Sequence, residues 1–246
     1  IRSIDMATHN GSLPIVTKDL VYCLDGQDKL SYPGSGTTWT DLTGNGHDMT
    51  FTNGPSATAD GKAVNFARAD SEYGQLDDAT AFSNANGGTL TGVCKYGTDH
   101  PTSIFNTGWY SQRNNDNTGL GLAIHRPANT TQIRAQCNDD GNSHPNLFSG
   151  NLGTDDKWSF AYTYNPSGEL KLYVNGAVVA SRAASSGALT FNNPDCKIAI
   201  GCMGGGNGIQ AGFNTDISIY SLCYYNRPLT NEEVQQNYQS QKRFGL

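Results

Sequence analysis

The side chains of this chain with the clearest potential for recognition chemistry are aromatic and planar polar groups that follow one another closely. Trp109 and Tyr110 are followed by Arg113, Asn115 and Asp116 on one predicted loop. An aromatic ring offers a flat apolar face to a ligand, and guanidinium, amide and carboxylate groups bind hydroxyls. We interpret these five residues as the binding site, with a glycan as the ligand that suits them.

The same loop permits two other interpretations. Exposed tryptophan and tyrosine side chains also anchor interfaces between proteins. Alternatively, Trp109 packs beneath its own loop and binds nothing. Sequence alone leaves all three open, whereas Trp39 and Trp158 stand in strand-like patterns and are predicted to lie in the core.

No residue pattern in the chain indicates catalysis. A retaining glycoside hydrolase needs two carboxylates roughly 5 Å apart, usually on a Glu-x-Asp-x-x-Glu strand, and that spacing is absent from the sequence. Glu72 and Glu169 stand alone, while Glu232 and Glu233 begin a predicted helix. The histidines show no metal-ligand spacing, and there is no G-x-S-x-G elbow. We therefore predict no catalytic residues and no enzymatic activity.

Composition excludes several classes of partner. The net charge is −6 and the basic residues are scattered, so no concentrated basic face is available for nucleic acid. No apolar run approaches the roughly 18 residues of a membrane span. The first residues lack the charged-then-apolar form of a signal peptide, and we expect no secretion signal.

The six cysteines leave two alternatives open. Most of them stand in apolar strand patterns, where a free thiol behaves as a small buried hydrophobic group. The alternative is at least one disulfide, which would indicate an oxidising compartment. The absence of a C-x-x-C pair disfavours a zinc site.

Short apolar strands separated by Gly, Asn and Pro predict an all-β protein, a two-sheet antiparallel β-sandwich. Residues 158–182 predict a three-stranded meander, in which Asn175-Gly176 supplies a type I′ turn. Thr230 and Glu233 have the spacing of a capping box, which predicts a helix over residues 231–243 that docks through Val234 and Tyr238.

The chain divides into an arm and one domain. Residues 1–17 carry apolar side chains without strand or helix periodicity. We therefore predict that this arm contacts another protein, and that residues 18–246 form a single sandwich domain.

Four segments in order along the chain carry a family resemblance: residues 22–26 (Tyr-Cys-Leu-Asp-Gly), 39–47 (Trp-Thr-Asp-Leu-Thr-Gly-Asn-Gly-His), 64–66 (Val-Asn-Phe) and 216–230. Together they resemble the laminin-G-like, or concanavalin A-like, jelly roll. The similarity is greatest to the branch found in bacterial surface proteins and tailed-phage virion proteins. The resemblance implies a concanavalin A-like jelly-roll sandwich, and the C-terminal segment adds a short helix.

The resemblance also implies a calcium site, because many laminin-G-like domains hold one ion at a sheet rim with oxygen ligands. By position, the candidates are Asp41, Asn45, Asp70 and Asp216. The alternative is that these side chains satisfy the backbone of turns and bind no metal.

From the resemblance we predict a virion structural or binding protein of a tailed phage, which decorates the capsid or projects as a fibre or appendage. Its partners would be other virion proteins or its own copies, and possible contact with a host surface glycan would mediate attachment. Its location would be the virion. The alternative is a secreted or cell-surface carbohydrate-binding module, which would be extracellular. A glycan-active enzyme is a distant third.

Overall fold

The computed structural model describes residues 14–76, 85–97, 106–112, 122–127, 130–137, 146–153, 156–184, 198–205, 208–210 and 213–246. The strands are β1 (Leu20–Asp25), β2 (Thr38–Trp39), β3 (Met49–Thr52), β4 (Ser56–Ala57), β5 (Val64–Phe66), β6 (Tyr73–Leu76), β7 (Gly88–Tyr96), β8 (Asn106–Gln112), β9 (Leu122–Pro127), β10 (Arg134–Cys137), β11 (Asn146–Phe148), β12 (Lys157–Tyr164), β13 (Glu169–Val174), β14 (Ala177–Ala183), β15 (Ile198–Ile200), β16 (Met203–Gly205), β17 (Gly208–Gln210) and β18 (Ile217–Tyr225). Helix α1 (Asn231–Gln241) and a 3-10 turn (Lys242–Phe244) follow. Within these ranges, no helix is long and apolar enough to cross a membrane.

The strands form two eight-stranded antiparallel sheets and a two-stranded ribbon. Sheet A has the order β14-β13-β12-β7-β18-β5-β4, and β1 also pairs with β18. Sheet B has the order β11-β10-β9-β8-β15-β6-β3-β2. This architecture confirms the predicted antiparallel β-sandwich with a short C-terminal helix.

The core lies between the inner faces of the two sheets. Along β13, Leu170, Leu172 and Val174 alternate inward, as a half-buried strand requires. Trp39 and Trp158 are both buried in this core, which confirms their predicted positions.

The predicted meander is present as β12, β13 and β14. Asn175 and Gly176 have φ angles of 50° and 78°, so both turn positions are left-handed, as a type I′ hairpin requires. The hairpin is tied to the helix, because the Gln235 side chain donates a hydrogen bond to the Gly176 carbonyl at 2.5 Å.

Helix α1 lies across the outer face of sheet A, and its predicted capping box is present at Thr230. The predicted docking face was only partly right. Val234 is buried, but Tyr238 is only half-buried, and the other buried helix residues are the polar Asn237, Ser240 and Gln241. This outer sheet face carries hydroxyls, and Gln241 accepts a hydrogen bond from Ser159 at 2.6 Å.

Residues 14–17 pack on their own domain, which contradicts the prediction for this part of the arm. Ile15 and Val16 are buried in a cluster between α1 and sheet A. Asn237 accepts a hydrogen bond from the Val16 amide, and Tyr225 donates one to the Val16 carbonyl, both at 2.8 Å. The apolar slot beneath the helix gives these side chains a burial site that the sequence did not show. Residues 1–13 lie outside the described residues.

An ion pair joins strand β1 to the 3-10 turn that follows helix α1. Asp25 is buried, accepts hydrogen bonds from the Gln27 and Asp28 amides, and pairs with Arg243. The next residue is a glycine, Gly26, because the Cβ of any other residue would lie 2.8 Å from the Cα of Ala63. The Asp-Gly pair of the family pattern therefore has a structural role in this chain.

Cys23 and Cys223 are register partners on β1 and β18 and form a disulfide. Cys94 and Cys202 are free and buried. Of the two alternatives for the cysteines, the structure shows the one with a disulfide.

Candidate functional site

The structure places the predicted recognition residues differently from the sequence interpretation. The backbone of Trp109 and Tyr110 lies in β8, inside sheet B, so their predicted location on a loop is wrong. Tyr110 is the register partner of Ile124 and Ile200, and Trp109 falls at a shift in register between β8 and β9. Arg113, Asn115 and Asp116 lie outside the described residues. A binding role for these five residues stays a prediction.

The first pair of predicted calcium ligands is engaged within its own turn. One carboxylate oxygen of Asp41 accepts hydrogen bonds from the amides of Cys23 and Thr43 at 3.0 Å, and the other accepts one from the Thr43 hydroxyl. Asn45 donates to the Val21 carbonyl at 2.7 Å. These contacts fasten the loop to β1, as the turn interpretation requires.

The second pair lies at a different place on the sandwich. Asp41 is bonded to Cys23, whose partner Cys223 stands seven positions after Asp216 along the chain. At about 3.3 Å per strand residue, Asp216 lies about 23 Å along the strand from Cys223, which is too far for the four residues to share one ion.

Asp70 and Asp216 are instead close to Glu72, a residue that the calcium prediction did not include. Burial raises the pKa of Glu72, the Ala67 amide opposes this, and the charges of Asp70 and Asp216 raise it further. Asp216 accepts a hydrogen bond from the Arg68 amide at 2.6 Å. No metal-holding group of three His, Cys, Asp or Glu side chains is present among the described residues. Calcium binding stays a prediction.

A polar groove with a volume of about 350 Å³ lies on the outer face of sheet A, beside the start of helix α1. We call it the outer groove. One wall is formed by β12, β13 and the turn between them, and the other by the segment that leads into the helix. The wall residues are Thr163, Asn165, Gly168, Glu169, Lys171 and Tyr173 on the sheet side and residues 228–232 on the helix side.

The sheet wall follows from local sequence rules. In β13 the outward positions alternate with the apolar inward ones, which places Glu169, Lys171 and Tyr173 on the groove side. Asn165 shapes the preceding turn, because its side chain accepts a hydrogen bond from the Ser167 amide at 3.1 Å.

The helix wall is held by a paired charge and by one bond across the groove. Arg227 donates to both carboxylate oxygens of Glu233 at 2.6 Å and pairs with Asp19 at 3.2 Å. The Tyr173 hydroxyl donates to the Asn231 side chain at 2.7 Å, which joins the two walls directly. Burial raises the pKa of Tyr173, against the opposing charge of Lys171, so the phenol is a stable donor.

The charges of the outer groove are two carboxylates and one ammonium group. Lys171 and Glu169 form an ion pair at 3.2 Å. Hydrogen bonds from its own backbone amide and from the Thr230 hydroxyl lower the pKa of Glu232, which is therefore ionised near neutral pH. Together with the amide side chains, these groups offer both donors and acceptors to a polar ligand.

Sequence reasoning missed this groove. Its sheet wall lies within residues 163–173 and its helix wall within residues 228–232. Glu169 was noted only as a carboxylate without a partner, and the helix start only as a cap. The signal in the sequence that could have revealed the groove was the set of polar residues at the outward positions of β13.

A model of the laminin-G type, described as the concanavalin A-like lectin/glucanases superfamily, matches residues 68–235. The chain therefore belongs to the concanavalin A-like lectin/glucanases superfamily. No curated protein sequence matches it. The family contains both binding and hydrolytic proteins, so membership by itself does not assign a function.

Solved structures with the same fold include receptor-binding domains of botulinum neurotoxins. One, from a study of type C and its interaction with two ganglioside molecules, has 11% sequence identity and a TM-score of 0.67; the match covers 91% of this chain and 51% of that one. The binding domain of neurotoxin DC in complex with SialylT has 10% identity and a TM-score of 0.66, with coverage of 91% and 52%. The chain thus spans about half the length of these toxin domains, and the likeness shows the fold alone.

Proposed function

We propose that this chain is a non-catalytic binding domain that recognises a hydroxyl-rich ligand, such as a glycan, in the outer groove. The observation that carries the proposal is the groove itself, whose two polar walls are fixed by the bond between Tyr173 and Asn231. A preformed concave site with a few fixed polar groups is the usual form of a small-ligand site.

The comparisons support a binding role without locating it. The superfamily includes lectins, and two of the similar toxin domains were studied with gangliosides and with SialylT. A third was solved with rat synaptotagmin II, a protein partner. Because only about half of each toxin chain is matched, these ligands support a binding function and say nothing about its position.

The enzyme alternative would need a carboxylic acid that can donate a proton, either in the outer groove or at Glu72. In the outer groove, Glu232 has a lowered pKa, which makes it unsuitable as a general acid, and Glu169 forms an ion pair with Lys171. Glu72 has the raised pKa of an acid, but it is buried and accepts a hydrogen bond from the Ala67 amide at 2.6 Å. Glu72 is therefore the residue on which a test for hydrolysis should concentrate.

As the biological setting we propose the virion of a tailed phage, with the groove available to a host surface glycan. The family pattern in the sequence supports this setting. The domain would decorate the capsid or form part of a fibre, with other virion proteins as its partners. Mass spectrometry of purified particles from the source should detect the chain at stoichiometric levels, and its absence from particles would contradict the proposal.

The second candidate is a secreted or cell-surface carbohydrate-binding module, and a specific observation favours it. Cys23 and Cys223 form a disulfide, and disulfides persist mainly in oxidising environments. This pair does not fit the alternative of reduced, buried cysteines. Recovery of the chain from the medium or cell surface, and not from particles, would support this second candidate.

The binding function is tested with one groove variant and one matched control. Lys171→Met removes the ammonium group from the groove wall and keeps the length of the side chain. We expect it to weaken binding to a glycan that the wild type binds on an array by about tenfold, which is a loss of roughly 1.4 kcal/mol.

The matched control is Lys95→Met, on the same face of sheet A. Thr163 in the groove is the register partner of Thr89 on β7, and Lys95 stands six positions further along that strand. The control should therefore leave binding unchanged. Equal effects of the two variants, or no effect of Lys171→Met, would show that the outer groove is not the binding site.

A further inference from the structure

We infer that Glu169 determines the specificity of the outer groove, by making it select uncharged glycans over those that carry a carboxylate. This inference rests on the proposed function. It differs from what the gangliosides and the SialylT named for the toxin domains would suggest, because those ligands are acidic.

The first argument is that Lys171, the only cation among the described residues of the groove walls, is already paired with a carboxylate. Among the described lining residues, Lys171 carries the single positive charge, and Glu169 lies 3.2 Å from its ammonium group. An acidic ligand that uses Lys171 must displace this carboxylate or bind beside it. A neutral ligand needs no such displacement, because a hydroxyl can accept from Lys171 while it donates to Glu169.

The second argument is that the start of helix α1 does not act as a free anion site. The first amides of a helix attract anions when they are unsatisfied. Here the Glu233 amide donates to the Thr230 hydroxyl at 3.3 Å, and the Glu232 amide is bonded to the carboxylate of its own residue. That carboxylate also carries its charge into the groove, where it repels an anion.

The third argument is the sum of the charges. Glu169 and Glu232 contribute two negative charges and Lys171 one positive charge, so the groove carries one net negative charge. Each of these groups is a hydrogen-bonding partner for sugar hydroxyls, as are the amides of Asn165 and Asn231. The same lining that suits a neutral sugar is therefore unfavourable for a carboxylated one.

Glu169 can be changed without damage to the fold. Its side chain is 52% exposed, and its pair with Lys171 is a surface ion pair of small energetic value. The turn before it is held by the bond from the Asn165 amide to the Glu169 carbonyl, which belongs to the backbone and does not involve the Glu169 side chain. Glu169→Gln keeps the shape of the side chain and frees the Lys171 charge.

The test uses a panel in which each neutral glycan stands beside its acidic form, such as lactose with 3′-sialyllactose, measured by biolayer interferometry. We expect the wild type to bind at least one neutral glycan more tightly than its acidic form. Glu169→Gln should raise the affinity for the acidic form about tenfold relative to the neutral one, which corresponds to roughly 1.4 kcal/mol.

Asp156→Asn is the matched control for net charge. It removes one negative charge from an exposed position next to Lys157, which stands six positions before Thr163 on β12. It should leave the ratio of the two affinities unchanged. An equal shift in this control would show that overall charge, and not Glu169, sets the preference.

The remaining outcomes separate the two proposals. If the wild type prefers acidic forms, or if Glu169→Gln leaves the ratio unchanged while Lys171→Met still weakens binding, the role of Glu169 is refuted and the groove stands. If the wild type binds no glycan on the panel, or Lys171→Met has no effect, the proposed function fails and the role of Glu169 fails with it.

Discussion

Glu233 is the residue whose substitution best tests what stabilises the helix wall of the outer groove. Its carboxylate accepts two hydrogen bonds from Arg227 at 2.6 Å and one from the Thr230 amide at 2.9 Å. Glu233→Ala removes all three bonds. It also leaves Arg227, whose side chain is only 18% exposed, with Asp19 as its remaining charge partner.

The expected cost follows from these contacts. Loss of the reciprocal half of a capping box costs about 1 kcal/mol. Loss of a partly buried, two-pronged arginine–carboxylate pair adds about 1–1.5 kcal/mol. We therefore expect the free energy of unfolding to fall by about 2–2.5 kcal/mol, which for a domain of this size lowers Tm by about 4–10 °C.

The pH dependence of the effect identifies its cause. The hydrogen bonds from Arg227 are the largest factor that lowers the pKa of Glu233 below its ordinary value of 4.5. The stabilisation is therefore fully present above pH 4.5 and is lost as the pH falls through the lower folded-state pKa. The difference in unfolding free energy between wild type and variant should be constant from pH 7 to pH 5 and should shrink below pH 4.5.

Urea unfolding followed by circular dichroism at several pH values measures this difference. Glu232→Ala is the matched control. The Glu232 side chain is exposed, and its hydrogen bonds are to its own amide and to Thr230, whereas Arg227 bonds to Glu233. It should cost clearly less. A difference for Glu233→Ala that stays the same from pH 7 down to pH 3 would refute the electrostatic reasoning.

Two further predictions concern the hairpin and the absence of catalysis. Gly176→Val should lower the free energy of unfolding by at least about 1 kcal/mol, because its φ is 78° and a Cβ there would lie 2.7 Å from the Tyr238 ring; Ala177→Val, on the exposed strand position beside it, should cost much less in the same urea unfolding assay. Incubation of the wild type with β-glucans, galactans and bacterial surface polysaccharides should release no new reducing ends; release that persists after repurification and disappears in Glu72→Gln would show that the domain is an enzyme.

Features that depend on a few neighbouring residues could be predicted from the sequence. The Asn175-Gly176 turn, the alternation along β13 and the capping box of Thr230 are all present. Each is decided by the conformational preference of a residue, or by a bond between groups three or four positions apart. The family resemblance extended these local features to the correct two-sheet architecture.

The recognition site could not be predicted in the same way. The polar residues that follow Trp109 and Tyr110 predicted a loop, yet both residues belong to strand β8, and Tyr110 is paired with β9 and β15. Strand formation depends on the neighbours that a segment meets across the sheet, and those neighbours are distant in sequence. The positions of the two pairs of predicted calcium ligands on the sandwich could not be predicted either, since separation along the chain does not give separation in space.

By itself, the sequence determined which side chains of this protein alternate, turn and cap, because these properties are local. Only the tertiary structure decided what those side chains face. It set the pairing of Cys23 with Cys223, the buried place of Val16 beneath the helix, and the bond between Tyr173 and Asn231 at the start of α1. The outer groove exists because the segment that leads into α1 lies against the outer face of sheet A, which brings two segments about sixty residues apart into contact. No pattern within either segment specifies that contact.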